Sequence, residues 1–212
     1  MHPMKTTLKQ QAYTTIRSKI LRCEYEPNAF LNEDFLCQEL NMSRTPVRDA
    51  LSRLEQENLV KIMPKKGFLV APLSLNEINI IYETRILLEP YIIRTYGHKI
   101  SDELQARMEL IMATMEESID DMERIYDLDD EFHRLIVHLC NNKYLINCYD
   151  SINAQNLRLR VLSGHQNRAR LIATQEEHMA ILKQIVKKDY DKAADAIEKH
   201  LSASKEAAYR VL

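Results

Sequence analysis

Four residues carry the chemistry that most constrains this 212-residue sequence: Asp129, His133, His178 and His200. Asp129 and His133 are four apart on a helical pattern, in line with Ile136 and Cys140, so both polar groups turn toward the apolar face. His178 lies seven residues after Leu171 and three before Ile181, and His200 seven after Ala193 and three after Ile197. Both therefore sit on apolar stripes. Their midpoint is residue 189, where Lys188-Asp189-Tyr190 should turn the chain. In an antiparallel helical hairpin, positions equidistant from the turn come level, here roughly 15 Å from it at 1.5 Å per residue. The two imidazoles can meet, and a third helix can bring Asp129 and His133 against them. One carboxylate and three imidazoles suit a divalent metal such as zinc, nickel, manganese or iron. The same residues could instead form a polar network in which Asp129 holds a histidinium. Either arrangement satisfies the rule that buried polar groups need partners, and spacing alone leaves both open. The other histidines are set aside: His2, His98 and His165 fall in termini or expected loops, and His138 is ~140° around its helix from His133.

Arg85, at i+7 from Ile78 and i+4 from Ile81, also points inward. A buried guanidinium is costly unless paired. Its partner is either a nearby acid such as Glu89 or the carboxylate of a small effector, which arginine can hold in a fork.

A second constellation lies near the start. Ser43-Arg44-Thr45-Pro46-Val47-Arg48 opens a helix with two arginines and two hydroxyls in its first turns. A DNA-recognition helix needs that combination, because its N-terminal end enters the major groove, where arginine can bond guanine bidentately. Taken alone these are ordinary cap and surface residues. The basic hairpin tip that follows, Pro64-Lys65-Lys66-Gly67, makes DNA the better reading.

The elements that must position these residues follow from periodicity and punctuation. Leu8, Ala12, Ile16 and Ile20 mark a first helix ended by Pro27, and Asn32 caps a short second one carrying Leu36 and Leu40. Ser43 caps the third, whose Val47, Ala50, Leu51 and Leu54 fall at i, i+3, i+4 and i+7; Pro46 is tolerated in its first turn. Asn58 sits where a left-handed residue is wanted. Two β-type runs, 59–63 and 68–71, complete three helices plus a β hairpin, the order of a winged helix-turn-helix. Residues 73–77 read as a linker. Beyond it the chain reads as all helix: about 77–97, a Met/Ile/Leu stripe behind Ser101, then 124–140, 143–162, 167–187 and 190–210, with Asn141-Asn142 and Ser163-Gly164-His165 as connections. The expected fold is mainly α, with a winged helix-turn-helix over 1–72 and an all-α bundle over 78–212.

Composition fits. Residues 1–72 hold 11 Lys/Arg and 8 Asp/Glu, net +3; the remaining 18 and 23 give −5, summing to the chain's −2. A basic first third on an acidic remainder suits a protein in which one domain touches phosphate, though a difference this small also arises by chance. No apolar run reaches the ~20 residues of a membrane span. The opening MHPMKTTLKQ lacks a signal-peptide core, and the four cysteines show no C-x-x-C spacing, so a cytoplasmic protein with reduced thiols is expected.

Longer motifs carry a family resemblance. Leu31-x-Glu33, Ser43-Arg44-Thr45-Pro46-Val47-Arg48-Asp49-Ala50-Leu51, Leu59-Val60 and Gly67-Phe68-x-Val70 resemble the signature of the GntR regulators. Tyr82-x-x-Arg85-x-x-Leu88-Glu89-Pro90, Asp129-x-x-Phe132-His133, Glu177-His178 and His200-Leu201 resemble the FCD sensor domain of its FadR-type subgroup. The resemblance implies that Arg44, Thr45 and Arg48 contact operator DNA and that Gly67 lies at a wing tip in the minor groove. With Pro46, Lys65 and Lys66 these form the expected DNA-contact set. Asp34 departs from the pattern, standing where some relatives carry a DNA-contacting arginine, and Asn58 replaces a frequent glycine. Metal-binding FCD proteins use the same Asp, His, His, His pattern, so the resemblance favours metal, zinc first. It favours a small organic acid as the partner of Arg85.

The expectation is a homodimeric transcription regulator, a repressor by preference, that binds inverted-repeat double-stranded DNA and answers to a small carboxylate at a metal site, without a membrane partner. A metalloenzyme with an accessory DNA-binding domain is the alternative. It lacks both the paired Glu-x-x-His motifs of di-iron bundles and an H-E-x-x-H. A third reading keeps the metal purely structural.

Overall fold

The computed structural model describes residues 7–64, 66–166 and 168–210, the side chains of 164–166 excepted. The chain divides into two compact units, Met1–Leu73 and Ser74–Leu212. In the first, α1 (Leu8–Leu21), β1 (Phe30–Leu31), α2 (Glu33–Leu40) and α3 (Arg44–Gln56) precede β2 (Val60–Met63) and β3 (Gly67–Val70). The apolar stripes of α1 and α3 pack together: Ala12, Ile16, Ile20, Val47, Leu51 and Leu54 are all buried. Leu8, expected on that stripe, is exposed instead. Asn32 caps α2 by accepting a hydrogen bond from the Asp34 amide, and Asn58 takes the left-handed conformation at φ 56°.

The hairpin is larger than expected. β3 lies between β2 and β1 in an antiparallel sheet of order β1-β3-β2, with Leu31 opposite Phe68 and Ile62 opposite Phe68 on the other side. Gly67 belongs to this sheet and not to the wing tip. Its φ is +102°, and a Cβ there would lie 2.6 Å from the Leu31 carbonyl oxygen. Only glycine supplies both the backbone conformation and the close approach.

The second unit is all helical: α4 (Leu75–Tyr96), a 3-10 turn at Gly97–Lys99, α5 (Asp102–Glu117), α6 (Met122–His138), α7 (Lys143–Gln166), α8 (Arg168–Val186) and α9 (Tyr190–Tyr209). Helix α4 starts two residues earlier than expected, because the Ser74 hydroxyl caps it by accepting from the Glu77 amide, so most of the 73–77 linker is helix. The connection expected at Ser163-Gly164-His165 is likewise helical, and α7 runs to Gln166. The α8–α9 hairpin turns where expected, with Asp189 as the N-cap of α9. Helix α9 packs along α4 and α8, while α6 packs against α4, α5 and α7. No helix among the described residues is long and apolar enough to cross a membrane.

Candidate functional site

The hairpin and α6 bring the four residues singled out by spacing to one buried point. Asp129 and His133 come from α6, His178 from α8 and His200 from α9, and one ligand atom from each lies within 4.8 Å of the others. The three Nε2 atoms form a nearly equilateral triangle: His178 to His133 is 3.2 Å, His178 to His200 3.3 Å and His200 to His133 3.2 Å. Asp129 Oδ1 stands 3.5 Å from His178 Nε2.

Carboxylates fix two of the tautomers. His133 Nδ1 donates to Glu89 Oε2 at 2.6 Å, and His200 Nδ1 donates to Glu177 Oε2 at 2.7 Å. With those protons on Nδ1, both Nε2 atoms present lone pairs to the centre. His178 is held by stacking on Phe132, with ring centroids 4.7 Å apart. Its Nδ1 is buried with no hydrogen-bond partner among the described residues. Protonating His178 on Nε2 could satisfy at most one facing lone pair, whereas a cation at the centre satisfies all three. Ligands ~2.0–2.1 Å from a shared tetrahedral centre stand about 3.3 Å apart, which is the spacing of these nitrogens. Carboxylates behind ligating imidazoles are the usual outer support of such a site. The donor set therefore fits a divalent metal.

The histidinium alternative fares worse. Burial, then the Arg85 guanidinium, hold His133 well below its ordinary value; burial, then His200, do the same for His178. Burial pushes the Asp129 carboxyl up, but Arg160 and the three imidazoles outweigh it and leave the group well below the usual carboxylate range. Partial burial likewise raises Glu177, yet hydrogen bonds from Arg170 and His200 hold it at about 2.

Arg85 has the structural partner proposed for it and a further capacity. Its Nε donates to Glu89 Oε1 at 2.6 Å and its Nη1 to Asn156 Oδ1 at 3.2 Å. Its Nη2 is buried and has no hydrogen-bond partner among the described residues. Arg85, Asp129, Arg160, Arg170 and His200 all line one cavity. Arg160 and Arg170 escaped the sequence reading. Arg160 contacts Asp129 Oδ2 and bonds Asp130 at 3.2 Å, and Arg170 grips both oxygens of Glu177 at 2.7 Å. Both lie on stretches whose apolar stripe is weak, so no periodicity flagged them as inward. Glu177 was visible only as the neighbour of His178 in a family motif.

The DNA-type surface is separate and lies in the first unit. Arg44, Arg48, Lys66 and Gly67 border one open groove with Glu33 and Asp34. Thr45 is exposed beside them on the first turn of α3. Ser43 flanks α3 without a side-chain cap bond, which leaves its hydroxyl free of the role assigned to it. Pro46 is buried, and so it shapes the start of the helix from inside and not from the contact face. Lys65 lies outside the described residues.

A recognition helix with a wing, in a chain that also carries a helical bundle with a buried polar cavity, defines a regulator of transcription. Comparison with known proteins gives the family. Residues 8–70 match the model for bacterial regulatory proteins of the gntR family, and residues 80–203 match the FCD domain. The chain belongs to the GntR family of bacterial transcription regulators, with a C-terminal FCD domain. It is 27% identical to the HTH-type transcriptional regulator YdhC of Bacillus subtilis (strain 168), over 91% of this chain and 87% of that protein. It is 24% identical to the HTH-type transcriptional repressor RspR of Escherichia coli (strain K12), over 96% and 90%. A GntR transcriptional regulator from Rhodococcus sp. RHA1 shares the fold, with a TM-score of 0.82, 17% identity and coverage of 96% and 98%. These relatives are regulators and not enzymes.

Proposed function

We propose that this regulator represses transcription by binding an inverted-repeat operator as a homodimer, and that a small carboxylate held in the helical unit controls that binding. One observation carries the ligand half: a triangle of facing imidazole nitrogens beside a cavity lined by Arg85, whose buried Nη2 has no hydrogen-bond partner among the described residues. Asp129, His133, His178 and His200 would hold a divalent metal, with zinc the best match to three nitrogens and one oxygen. When bound, the ion supplies the positive charge that draws an anion into the cavity. Glu89 and Glu177 keep the Nδ1 protons of His133 and His200 in place. Arg85 offers Nη2 to the anion and Arg160 anchors Asp129. For DNA, Arg44, Thr45 and Arg48 would meet the major groove while Lys65 and Lys66 meet phosphate. A single recognition helix reads too few bases for useful specificity, which supports a dimer on two half-sites.

Control requires that the acid bind one DNA-competence state better than the other; a tenfold effect needs about 1.4 kcal/mol of difference. The test is elemental analysis of untagged protein, then calorimetry of hydroxy and keto acids against wild type and Arg85→Lys, which keeps the charge beside Glu89 but loses the fork. Metal should be present at one per chain and absent from His133→Ala and His200→Ala. At least one acid should bind wild type more tightly and change its affinity for operator. Equal binding to both proteins removes Arg85 from the site, and unchanged operator affinity removes the switch.

A further inference from the structure

The two oxygens of Asp129 have different neighbours. Oδ1 faces the imidazole triangle, 3.5 Å from His178 Nε2. Oδ2 accepts a hydrogen bond from Nη1 of Arg160. That guanidinium is also seated independently of Asp129. Its Nη2 donates to Asp130 Oδ1 at 3.2 Å and to Asn153 Oδ1 at 3.5 Å. Asn153 in turn donates Nδ2 to Asp130 Oδ1 at 2.7 Å, which closes a ring of contacts among the three residues. The Arg160 side chain is only 12% exposed, and it lines the same cavity as Asp129, Arg85 and His200. Glu89 and Glu177 touch their histidines at Nδ1 and leave Nε2 to face the centre. Arg160 does something different: it occupies an atom that could itself be a ligand. A carboxylate can bind a cation through one oxygen or through both, and here the second oxygen is already taken.

We propose that Arg160 restricts Asp129 to a single ligating oxygen, and that the position thereby kept open selects acids that chelate, α-hydroxy and α-keto acids, over simple carboxylates. Arg160 is thus a positioning residue, acting through Asp129. The inference rests on the four-residue cluster holding a metal. Three imidazoles that meet as a triangle take one face of an octahedral ion. Asp129 bound through Oδ1 alone leaves two places for an acid, whereas Asp129 bound through both oxygens leaves one. A 2-hydroxy or 2-keto acid can fill two places, through a carboxylate oxygen and the neighbouring hydroxyl or carbonyl oxygen. A simple carboxylate gains nothing comparable from the second. Arg160 also places a positive charge beside a metal ligand, which lowers affinity for the cation. Its removal should therefore tighten metal binding, the opposite of losing a carboxylate behind a histidine.

The experiment loads the full chain with manganese(II), whose exchanging bound waters speed the relaxation of solvent protons and so report open positions. Glycolate should suppress that relaxation in wild type at about tenfold lower concentration than acetate, because its second contact is intramolecular. The two acids carry the same charge, so their ratio is insensitive to the charge that Arg160→Met removes. Arg160→Met should bind manganese more tightly, relax water less before any acid is added, and lose most of the glycolate preference. Arg160→Lys, which keeps the charge and one donor, should restore most of it. Arg160→Gln, uncharged and without a fork to span Asp129 and Asp130, should behave like the methionine variant and serves in its place if that chain does not fold. A glycolate preference that survives in metal-loaded Arg160→Met or Arg160→Gln overturns the proposal. So does weaker metal binding in those variants, which would make Arg160 a support of the same kind as Glu177. Lost preference with unchanged acid-free relaxation would mean that Arg160 touches the acid itself and does not restrict Asp129. Metal-loaded wild type without a glycolate preference removes the selection of chelating acids. Wild type that takes up neither manganese nor zinc fails earlier, at the four-residue site, and takes this inference with it.

Discussion

Lowering the pH of metal-stripped protein from 7 to 5 should cost the helical unit up to about 4 kcal/mol. The perturbation acts on His133 and His178, both buried and both held well below the ordinary imidazole value. In the unfolded chain each takes up a proton near pH 6.5. A group with a depressed folded value contributes its full stability above the unfolded value and loses it as the pH falls, because only the unfolded state binds the proton. With both imidazoles neutral throughout in the folded state, integrating that difference between pH 7 and pH 5 gives roughly 2 kcal/mol for each, hence at most about 4 for the pair. Asp129 and Glu177 are also depressed, but their share is complete above the ordinary carboxylate range and is lost only below about pH 4. They do not enter this window. A whole domain is stable by only about 5–15 kcal/mol, so the loss is large. The assay is urea unfolding followed by circular dichroism at pH 7, 6 and 5 in chelator, on wild type and on a variant carrying His133→Gln and His178→Gln. A wild-type loss below about 1 kcal/mol, or an equal loss in the variant, would refute the reasoning.

Three other outcomes follow from particular contacts. Gly67→Ala should lose more than about 1 kcal/mol in a thermal melt, since it strains a φ of +102° and drives a methyl against the Leu31 carbonyl; an unchanged melting temperature counts against that contact. Glu177→Gln should weaken metal binding by roughly 10–100-fold in competition with a chelating dye, the usual effect of losing an outer carboxylate, and an unchanged affinity would mean that His200 does not depend on it. Lys66→Ala should lower the slope of log affinity against log salt by about 0.9 with little change in base preference. A lost base preference with the slope intact would place Lys66 on bases instead of phosphate.

The cluster was legible in the sequence because two strong patterns overlap there. Asp129 and His133 share the regular apolar face of α6, and the Lys188–Tyr190 turn makes His178 and His200 equidistant from one corner. The arginines around the cavity were not legible, because α7 buries polar residues such as Asn156 and Arg158 and neither α7 nor α8 gives a clean apolar stripe from which to read direction. Strand β1 was missed for a simpler reason: two residues cannot show a period of two, and Phe30–Leu31 become a strand only through pairing with β3. Gly164 misled in the opposite direction. A glycine beside a serine reads as a break, yet packing carried α7 through it. Pro46 and Gly67 were both expected in the DNA-contact set; Pro46 is buried at the start of α3, and Gly67 supplies a positive φ against the Leu31 carbonyl while bordering the groove.

The two carboxylate oxygens of Glu89 serve different partners. Oε1 accepts a hydrogen bond from Nε of Arg85, and Oε2 accepts one from Nδ1 of His133, whose Nε2 faces the other imidazoles. Any anion that draws Arg85 toward the cavity leaves more of that carboxylate's charge to His133, which makes Nε2 the stronger donor. Thermodynamic reciprocity then fixes the converse by the same factor: an ion that strengthens the hold on the acid is itself held more tightly by the acid. On the proposed reading, a cell equipped with such a protein would respond more strongly to the two together than to either alone.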